Sequence, residues 1–227
     1  MKNNNSFGYI RTLCAVAMFC SLAYVVSFCI PIKVQFLTFD AKDAIITIGG
    51  MFFGPFAALA MSIIVPVLEI MTLSDTGIYG LIMNCLSSAA FSVTASLVYK
   101  SKRKMSGALL GLFSGIIAMV TIMMVANIIV TPIYMGITQE AVIELIPTLL
   151  LPFNVAKSVL NAALVLLLYK PFTTALRATN NIPDAPERKN SIWYSILAVI
   201  IAALLISAAI YLYFTVLDAS FTLAIKK

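Results

Sequence analysis

Long uninterrupted runs of apolar residues are the feature that most constrains this chain. The run at 106–132, for example, exceeds the ~20 helical residues needed to cross about 30 Å of hydrocarbon. Only 11% of the 227 residues are charged, whereas an average soluble domain carries about 25%. Because the runs are continuous rather than alternating, they exclude a transmembrane β-barrel. The sequence therefore predicts an all-α membrane protein.

One apolar stretch, 44–71, is too long for a single helix and is interrupted near its middle. Three glycines and Pro55 lie close together there, and such a cluster breaks a helix. We therefore expect two helices that turn back on each other. Asp43 precedes the first of them and is predicted to be its N-cap, because an aspartate side chain can accept from the free backbone N–H groups.

The predicted domain organisation is a compact six-helix transmembrane bundle with one further helix. The bundle covers 1–172, a polar cytoplasmic linker containing two prolines covers 173–190, and an additional C-terminal transmembrane helix occupies 191–227. The predicted spans are 10–30, 43–54, 55–72, 78–99, 106–132, 149–170 and 191–217.

The distribution of charge predicts the orientation of the chain in the membrane. Most of the fifteen lysines and arginines fall on one side when the N-terminus is placed in the cytoplasm, and cytoplasmic loops retain basic residues. We therefore predict a multi-pass membrane protein with a cytoplasmic N-terminus. The chain has no histidine, dispersed cysteines and no GxxxxGK[ST], GxSxG or HExxH motif, so we expect no catalytic residue and no metal site.

A polar face on the sixth predicted span stands out, because an ionisable group within a span costs at least about 2.5 kcal/mol on insertion scales. Asn154, Lys157 and Asn161 are spaced i, i+3 and i+7 and therefore share one side of a helix. Lys157 lies about 12 Å from the outer start of that helix. This face predicts a ligand-binding surface in the outer half of the membrane.

Three other spans carry a polar residue at a similar predicted depth. Asn127 and Glu69 lie near the outer ends of their helices, and Asn84 lies near the outer start of its own. We predict that they join the same substrate-binding pocket. The alternative is that they form interhelical hydrogen bonds, or that Glu69 pairs with Lys157, purely to hold the helices together.

The first outer connection, 31–43, alternates aromatic and polar residues and is predicted to be a lid. Aromatic faces suit a planar ligand while polar atoms fix its edge, although the segment is equally compatible with a plain connector. The predicted lid residues are Phe36, Leu37, Thr38, Phe39 and Asp40.

A pair of small residues on the first helix is a candidate partner surface. Ala17 and Ser21 form a small-xxx-small pair, which allows another helix to approach closely. Internal packing within the bundle is the alternative explanation.

Three segments resemble the riboflavin-specific substrate-binding component (S component) of energy-coupling factor (ECF) transporters. They are Phe36 to Asp43, Gly49 to Pro55 and Pro152 to Asn161. The resemblance implies a bacterial plasma-membrane protein whose six helices capture the vitamin from outside, with the first loop covering the site. It also implies separate partners, namely a transmembrane coupling subunit and two cytosolic ATPase subunits.

The resemblance also assigns roles to individual residues. Asn154 and Lys157 would donate hydrogen bonds to the flavin ring or ribityl chain, and Asn127 would join them. Ala17 and Ser21 resemble the surface that meets the coupling subunit, although serine replaces the second alanine. Riboflavin would be the transported ligand rather than a cofactor, and the seventh span departs from the six-helix pattern.

Two other functions remain open from the residues alone. A related S component with a different pocket would bind another vitamin, such as thiamin or folate. A standalone membrane enzyme or proton-coupled carrier would use Glu69 and Lys157 as a charge relay.

Overall fold

The computed structural model describes residues 4–29, 32–34, 37–72 and 77–178, together with Ser207. Two short antiparallel strands lie between the first two helices, with Val34 opposite Leu37; the sequence analysis did not predict strands there. The elements are α1 (Asn4–Cys29), β1 (Ile32–Val34), β2 (Leu37–Phe39), α2 (Lys42–Phe53), α3 (Pro55–Ile70), α4 (Gly77–Ser101), α5 (Met105–Met135), α6 (Gln139–Leu145), a π-helical turn (Ile146–Leu150) and α7 (Leu151–Ala178).

Among the described residues, four helical segments are long and apolar enough to cross a membrane, which confirms the helical membrane class. Helix α3 is apolar but has only 16 residues, and α2 has 12, so the count of six spans plus one stays a prediction. The four segments are Tyr9–Cys29, Gly77–Ser101, Met105–Met135 and Gln139–Leu176.

The C-terminal part of the predicted organisation lies mainly outside the described residues. Helix α7 continues to Ala178, past the boundary predicted at residue 172. Of the rest of the predicted linker and the additional helix at 191–227, only Ser207 is described. The linker and the seventh span therefore stay predictions.

Helix α2 is the centre of the bundle. Every residue from Lys42 to Met51 is buried, and the helix packs against α1, α3, α4 and α7. A helix buried on all sides is surrounded by protein rather than lipid. Its length of 12 residues therefore does not have to match the thickness of the bilayer.

The predicted break between α2 and α3 is confirmed. Gly54 adopts φ 101°, a conformation that favours glycine, and its N–H donates to Gly50 O at 2.8 Å. Pro55 follows as the first residue of α3, where a backbone N–H is not needed. The chain can therefore reverse within one residue.

The prediction that Asp43 is the N-cap of α2 is wrong. The helix begins one residue earlier, at Lys42, and is preceded by Ala41, which makes no side-chain cap. Asp43 is fully buried and accepts a hydrogen bond from Ser88 Oγ of α4 at 2.5 Å. Burial of a carboxylate between helices requires such a partner, so Asp43 joins α2 to α4.

Helices α4 and α5 approach closely at two glycines of α5. A Cβ atom built on Gly111 would lie 2.6 Å from Ala95 O, and one built on Gly115 would lie 2.9 Å from Phe91 O. Both contacts are to the backbone of α4, which cannot move aside as a flexible side chain can. The absence of side chains at these positions therefore sets the spacing of the two helices.

We expect Gly111→Ala to destabilise the bundle. Overpacking costs about 1–3 kcal/mol, which exceeds the gain in helix propensity of up to ~1 kcal/mol. The measurement is the melting temperature of the purified protein in detergent. Val125→Ile adds one carbon to a side chain of α5 that is 55% exposed, so this control should melt like the wild type. Equal melting of Gly111→Ala would contradict the close approach.

Candidate functional site

A partly open cavity lies at one end of the bundle. The start of α4, the end of α5, the start of α7 and strand β2 surround it. Its empty space is about 670 Å³ when the part open to solvent is included. The lining residues are Leu37, Thr38, Tyr79, Gly80, Met83, Asn84, Ser87, Met123, Asn127, Val130, Thr131, Tyr134, Phe153, Asn154 and Lys157.

The structure brings part of the predicted binding set to this cavity. Glu69, Asp40 and Asn161 are buried but do not line it. Phe36 lies outside the described residues, and only the backbone of Phe39 is described. The predicted residues in the cavity wall are Leu37, Thr38, Asn84, Asn127, Asn154 and Lys157.

Lys157 is held by the end of the hairpin, the segment formed by β1, β2 and Asp40, which lies in the region that the sequence analysis predicted to be a lid. Its Nζ donates to Asp40 Oδ2 at 3.0 Å and to Thr38 O at 3.3 Å. An ammonium group has three N–H donors, so these two bonds leave one for another acceptor. Lys157 therefore connects the cavity wall on α7 to the end of β2.

A second ion pair lies directly behind the first. Lys42 Nζ lies 3.5 Å from Asp40 Oδ2 and 2.5 Å from Glu69 Oε2. Glu69 also accepts from Ser27 Oγ of α1 at 2.5 Å. Among the described residues, Glu69 therefore pairs with Lys42, and Lys157 pairs with Asp40 instead; Glu69 does not line the described cavity. This arrangement also gives no direct Glu69–Lys157 relay.

The two lysines keep Asp40 ionised. Burial alone would raise the pKa of Asp40, but the ammonium groups of Lys157 and Lys42 act in the opposite direction and hold that pKa below its ordinary value. The carboxylate is therefore charged at neutral pH. It serves as the shared anion between the cavity wall and helix α2.

Asn161 does not line the described cavity but binds the backbone at the start of α2. Its Nδ2 donates to Asp40 O at 3.1 Å, and its Oδ1 accepts from Ala44 N at 2.9 Å. These bonds fix the backbone on both sides of the start of α2. Asn161 lies on the same face of α7 as Lys157, as predicted, since both side chains contact Asp40. It is one helical turn further along α7, however, and therefore reaches the start of α2 instead of the cavity.

Asn154 presents an acceptor whose partner is missing from the described part of the chain. Its Nδ2 donates to Leu150 O at 2.8 Å, which fixes the orientation of the amide because two carbonyl oxygens cannot bond to each other. Oδ1 is buried without a hydrogen-bond partner among the described residues. Such an oxygen costs about 1–3 kcal/mol, and a ligand N–H would remove that cost.

Asn127 differs from Asn154 because both of its amide atoms are already engaged. Its Nδ2 donates to Met123 O at 2.7 Å and its Oδ1 accepts from Thr131 Oγ1 at 2.9 Å. Each atom retains capacity for one more bond. Asn84 is half-buried in the opposite wall, so amide groups from α4, α5 and α7 face one cavity.

The sequence analysis missed the aromatic part of the wall. Tyr79 of α4 and Tyr134 of α5 lie in contact, with ring centroids 6.0 Å apart and an interplanar angle of 55°. Both residues are about one third exposed and line the cavity. Tyr134 could have been identified from its spacing, because it follows Asn127 by seven residues, about two helical turns, and therefore shares its face. Tyr79 precedes Asn84 by five residues, a spacing that gives no such signal.

The predicted partner surface lies on the outside of α1. Ala17 and Ser21 are both exposed, and Ser21 Oγ donates to Ala17 O at 3.0 Å within the helix. Because the hydroxyl group of Ser21 donates to the backbone of its own helix, it does not require a partner from another helix. The pair is therefore open to another helix, and its role as a docking surface stays a prediction.

We expect Asn161→Ala to lower stability, because it leaves Asp40 O and Ala44 N without their side-chain partners. Loss of buried hydrogen bonds costs about 1–3 kcal/mol, so the melting temperature in detergent should fall by several degrees. The control is Thr174→Ala on the exposed end of the same helix, where Thr174 Oγ1 bonds only to Lys170 O among the described residues. An unchanged melting temperature for Asn161→Ala would show that these bonds are unimportant.

Comparison with known proteins agrees with the geometry of the bundle. A riboflavin transporter, RibU, of Staphylococcus aureus (strain TCH60) is 27% identical over 177 residues, which cover 74% of this chain and 93% of that protein. The solved structure of the S component of a bacterial ECF transporter matches with a TM-score of 0.64 at 25% identity, covering 74% of this chain and 99% of that one.

The family comparison covers most of the bundle. Residues 11–169 match the family described as ECF transporter, substrate-specific component. Both this family and the curated relative are transport proteins, which confirms the prediction that the chain is not an enzyme. With four helices in the described part of the chain that are long and apolar enough to cross a membrane, it is a multi-pass membrane protein. The chain belongs to the family of substrate-specific components of ECF transporters.

Proposed function

We propose that this chain captures riboflavin in the cavity and delivers it to an ECF importer. The observation that carries the proposal is the pairing of a free acceptor with a free donor on one face of α7. Asn154 Oδ1 lacks a donor among the described residues, and Lys157 retains one N–H. A ligand that offers an adjacent N–H and carbonyl satisfies both.

Riboflavin has such an edge. The pyrimidine part of its ring carries an imide N–H between two carbonyl groups, so a single edge both donates and accepts. Asn154 Oδ1 would accept from the imide N–H while Lys157 Nζ donates to a neighbouring carbonyl oxygen. The i, i+3 spacing of the two residues places both groups on the same side of the helix.

The rest of the wall suits the remainder of a flavin. Tyr79, Tyr134 and Phe153 supply aromatic surface, which favours contact with a planar ring. Asn84 and Asn127 add amide groups on the opposite helices, and these suit the hydroxyl groups of the ribityl chain. The resemblance to a riboflavin transporter over 74% of this chain supports the same ligand.

Other vitamins fit the charge of this wall less well. The charged side chain among the described lining residues is the ammonium of Lys157, and that lining includes no carboxylate that could pair with the cationic ring of thiamin. Folate carries carboxylates, which would compete with Asp40 for that ammonium. Riboflavin is uncharged at neutral pH and avoids both conflicts.

Delivery requires partners, as the family name implies. We propose that a transmembrane coupling subunit and two cytosolic ATPase subunits complete the importer. Ala17 and Ser21 would form part of the surface that meets the coupling subunit, because both are exposed on α1. The proposed orientation has the N-terminus in the cytoplasm and the cavity toward the outside of a bacterial plasma membrane.

We expect Asn154→Ala to weaken riboflavin binding by about 10–100-fold, since a hydrogen bond to a buried group is worth about 1–3 kcal/mol. Quenching of flavin fluorescence by the purified protein measures the Kd. Riboflavin methylated on the imide nitrogen should bind the wild type more weakly, yet the methyl group should matter much less in Asn154→Ala.

The matched control is Ser114→Ala on α5, where the hydroxyl bonds to Leu110 O of its own helix and does not line the cavity. It should bind riboflavin like the wild type. Wild-type affinity in Asn154→Ala would contradict the assignment of this residue. A wild-type protein that neither carries a yellow flavin nor binds added riboflavin would contradict the proposed function.

A further inference from the structure

A cluster of buried ionisable side chains surrounds the start of α2, and its charges do not cancel. Among the described residues, the cluster contains the ammonium groups of Lys42 and Lys157. Its carboxyl groups are those of Asp40, Asp43 and Glu69. All five residues are at most 4% exposed. If every carboxyl group were ionised, this buried charge cluster would hold one negative charge too many.

Asp43 is the carboxyl group that neither lysine pairs with. The ion pairs of Lys42 and Lys157 in the described part of the chain go to Asp40 and Glu69. Asp43 Oδ1 accepts one hydrogen bond, from a serine hydroxyl group of α4 at 2.5 Å. Its Oδ2 is buried without a hydrogen-bond partner among the described residues. The unbalanced charge of the cluster therefore falls on Asp43.

A proton on Asp43 removes the imbalance. Burying a charge without a counter-charge is strongly unfavourable, and a carboxyl group in that position binds a proton instead. The hydroxyl partner on α4 is a dipole and does not supply the missing positive charge. With the proton on Oδ2, Oδ1 still accepts from α4, and the two remaining carboxylates match the two lysines.

The other titratable groups around the start of α2 do not take the place of Asp43. The carboxyl groups that have an ammonium partner are stabilised in their ionised form. Phenol and thiol groups are neutral at neutral pH. Besides Lys42 of α2 itself, the elements packed at this end contribute Asp40 of the hairpin, Tyr24 of α1, Glu69 of α3, Cys85 of α4 and Lys157 of α7.

We propose that Asp43 is a buried proton-binding site, whose proton supplies the positive charge that the cluster lacks. The side chain is then a neutral acid at pH values at which ordinary aspartates, which lose their proton near pH ~4, are charged. The folded chain binds this proton more tightly than the unfolded chain does. Stability is therefore lost as the pH rises from about 4 until the buried acid ionises, and this loss goes no further at higher pH.

Asp43→Asn tests the site, because it replaces the acid by a neutral side chain of nearly the same shape. In detergent this variant should melt several degrees above the wild type at about pH 8, and the difference should shrink toward about pH 5, where the wild type is protonated as well. The control Glu144→Gln neutralises an exposed acid on α6 and should melt like the wild type at both values. Melting of Asp43→Asn below the wild type at about pH 8 would overturn the inference.

The proton can also be observed in the wild type, so that the test does not depend on a variant that folds. The chain has five aspartates, whose carboxyl carbons can be isotopically labelled and followed by NMR. At about pH 5.5, one signal should have the chemical shift of a protonated carboxyl group, whereas ordinary aspartates are ionised there. Five carboxylate signals at this pH would contradict a proton on Asp43.

The variant Asp40→Asn provides a background in which the same substitution should have the opposite effect. It leaves two lysines facing Asp43 and Glu69, so Asp43 loses its proton to balance them. Adding Asp43→Asn to Asp40→Asn then removes a charge that the lysines need, and should lower the melting temperature by several degrees. An equal effect of Asp43→Asn in both backgrounds would show that it does not balance the cluster.

A sodium ion is the other source of a single positive charge. Replacing choline chloride by sodium chloride at constant ionic strength should change the melting temperatures of the wild type and of Asp43→Asn equally. Stabilisation by sodium that is confined to the wild type would assign the missing charge to a bound metal ion, and the inference of a proton would be wrong.

Discussion

Two linked ion pairs, Asp40 with Lys157 and Glu69 with Lys42, are the interaction on which the rest of this bundle depends. Charges buried away from water must be paired, and here the pairs come from the hairpin, α2, α3 and α7, with Ser27 of α1 bound to Glu69. No single helix can satisfy its own charge. The pairs therefore favour the arrangement that brings these elements together and places the end of β2 against the cavity.

Sequence patterns identified which residues needed partners, but not which partners they would find. Lipid excludes polar side chains, so Asn84, Asn127, Asn154 and Lys157 were recognisable within apolar runs, and all four line the cavity. The pairing of Glu69 depended on where the start of α2 would lie, and spacing along one chain segment contains no information on that distance.

The misplaced and missed residues have physical explanations of the same kind. Asn161 shares a helix face with Lys157, yet it lies one turn further and reaches the backbone of α2 instead. Tyr79 and Tyr134 were overlooked because tyrosines are common near the ends of membrane helices. Only the meeting of α4 with α5 shows that these two rings form one wall.

In the proposed site, Lys157 would also link ligand binding to the position of the hairpin. Two of its three N–H groups hold Thr38 O and Asp40, and the third would hold the ligand, so a ligand adds to the hairpin contacts instead of replacing them. By thermodynamic reciprocity, a closed hairpin that strengthens ligand binding is itself stabilised by the ligand to the same extent. Under the proposed function, ligand capture and the holding of the hairpin would therefore be one equilibrium, in which the ammonium of Lys157 is the shared group.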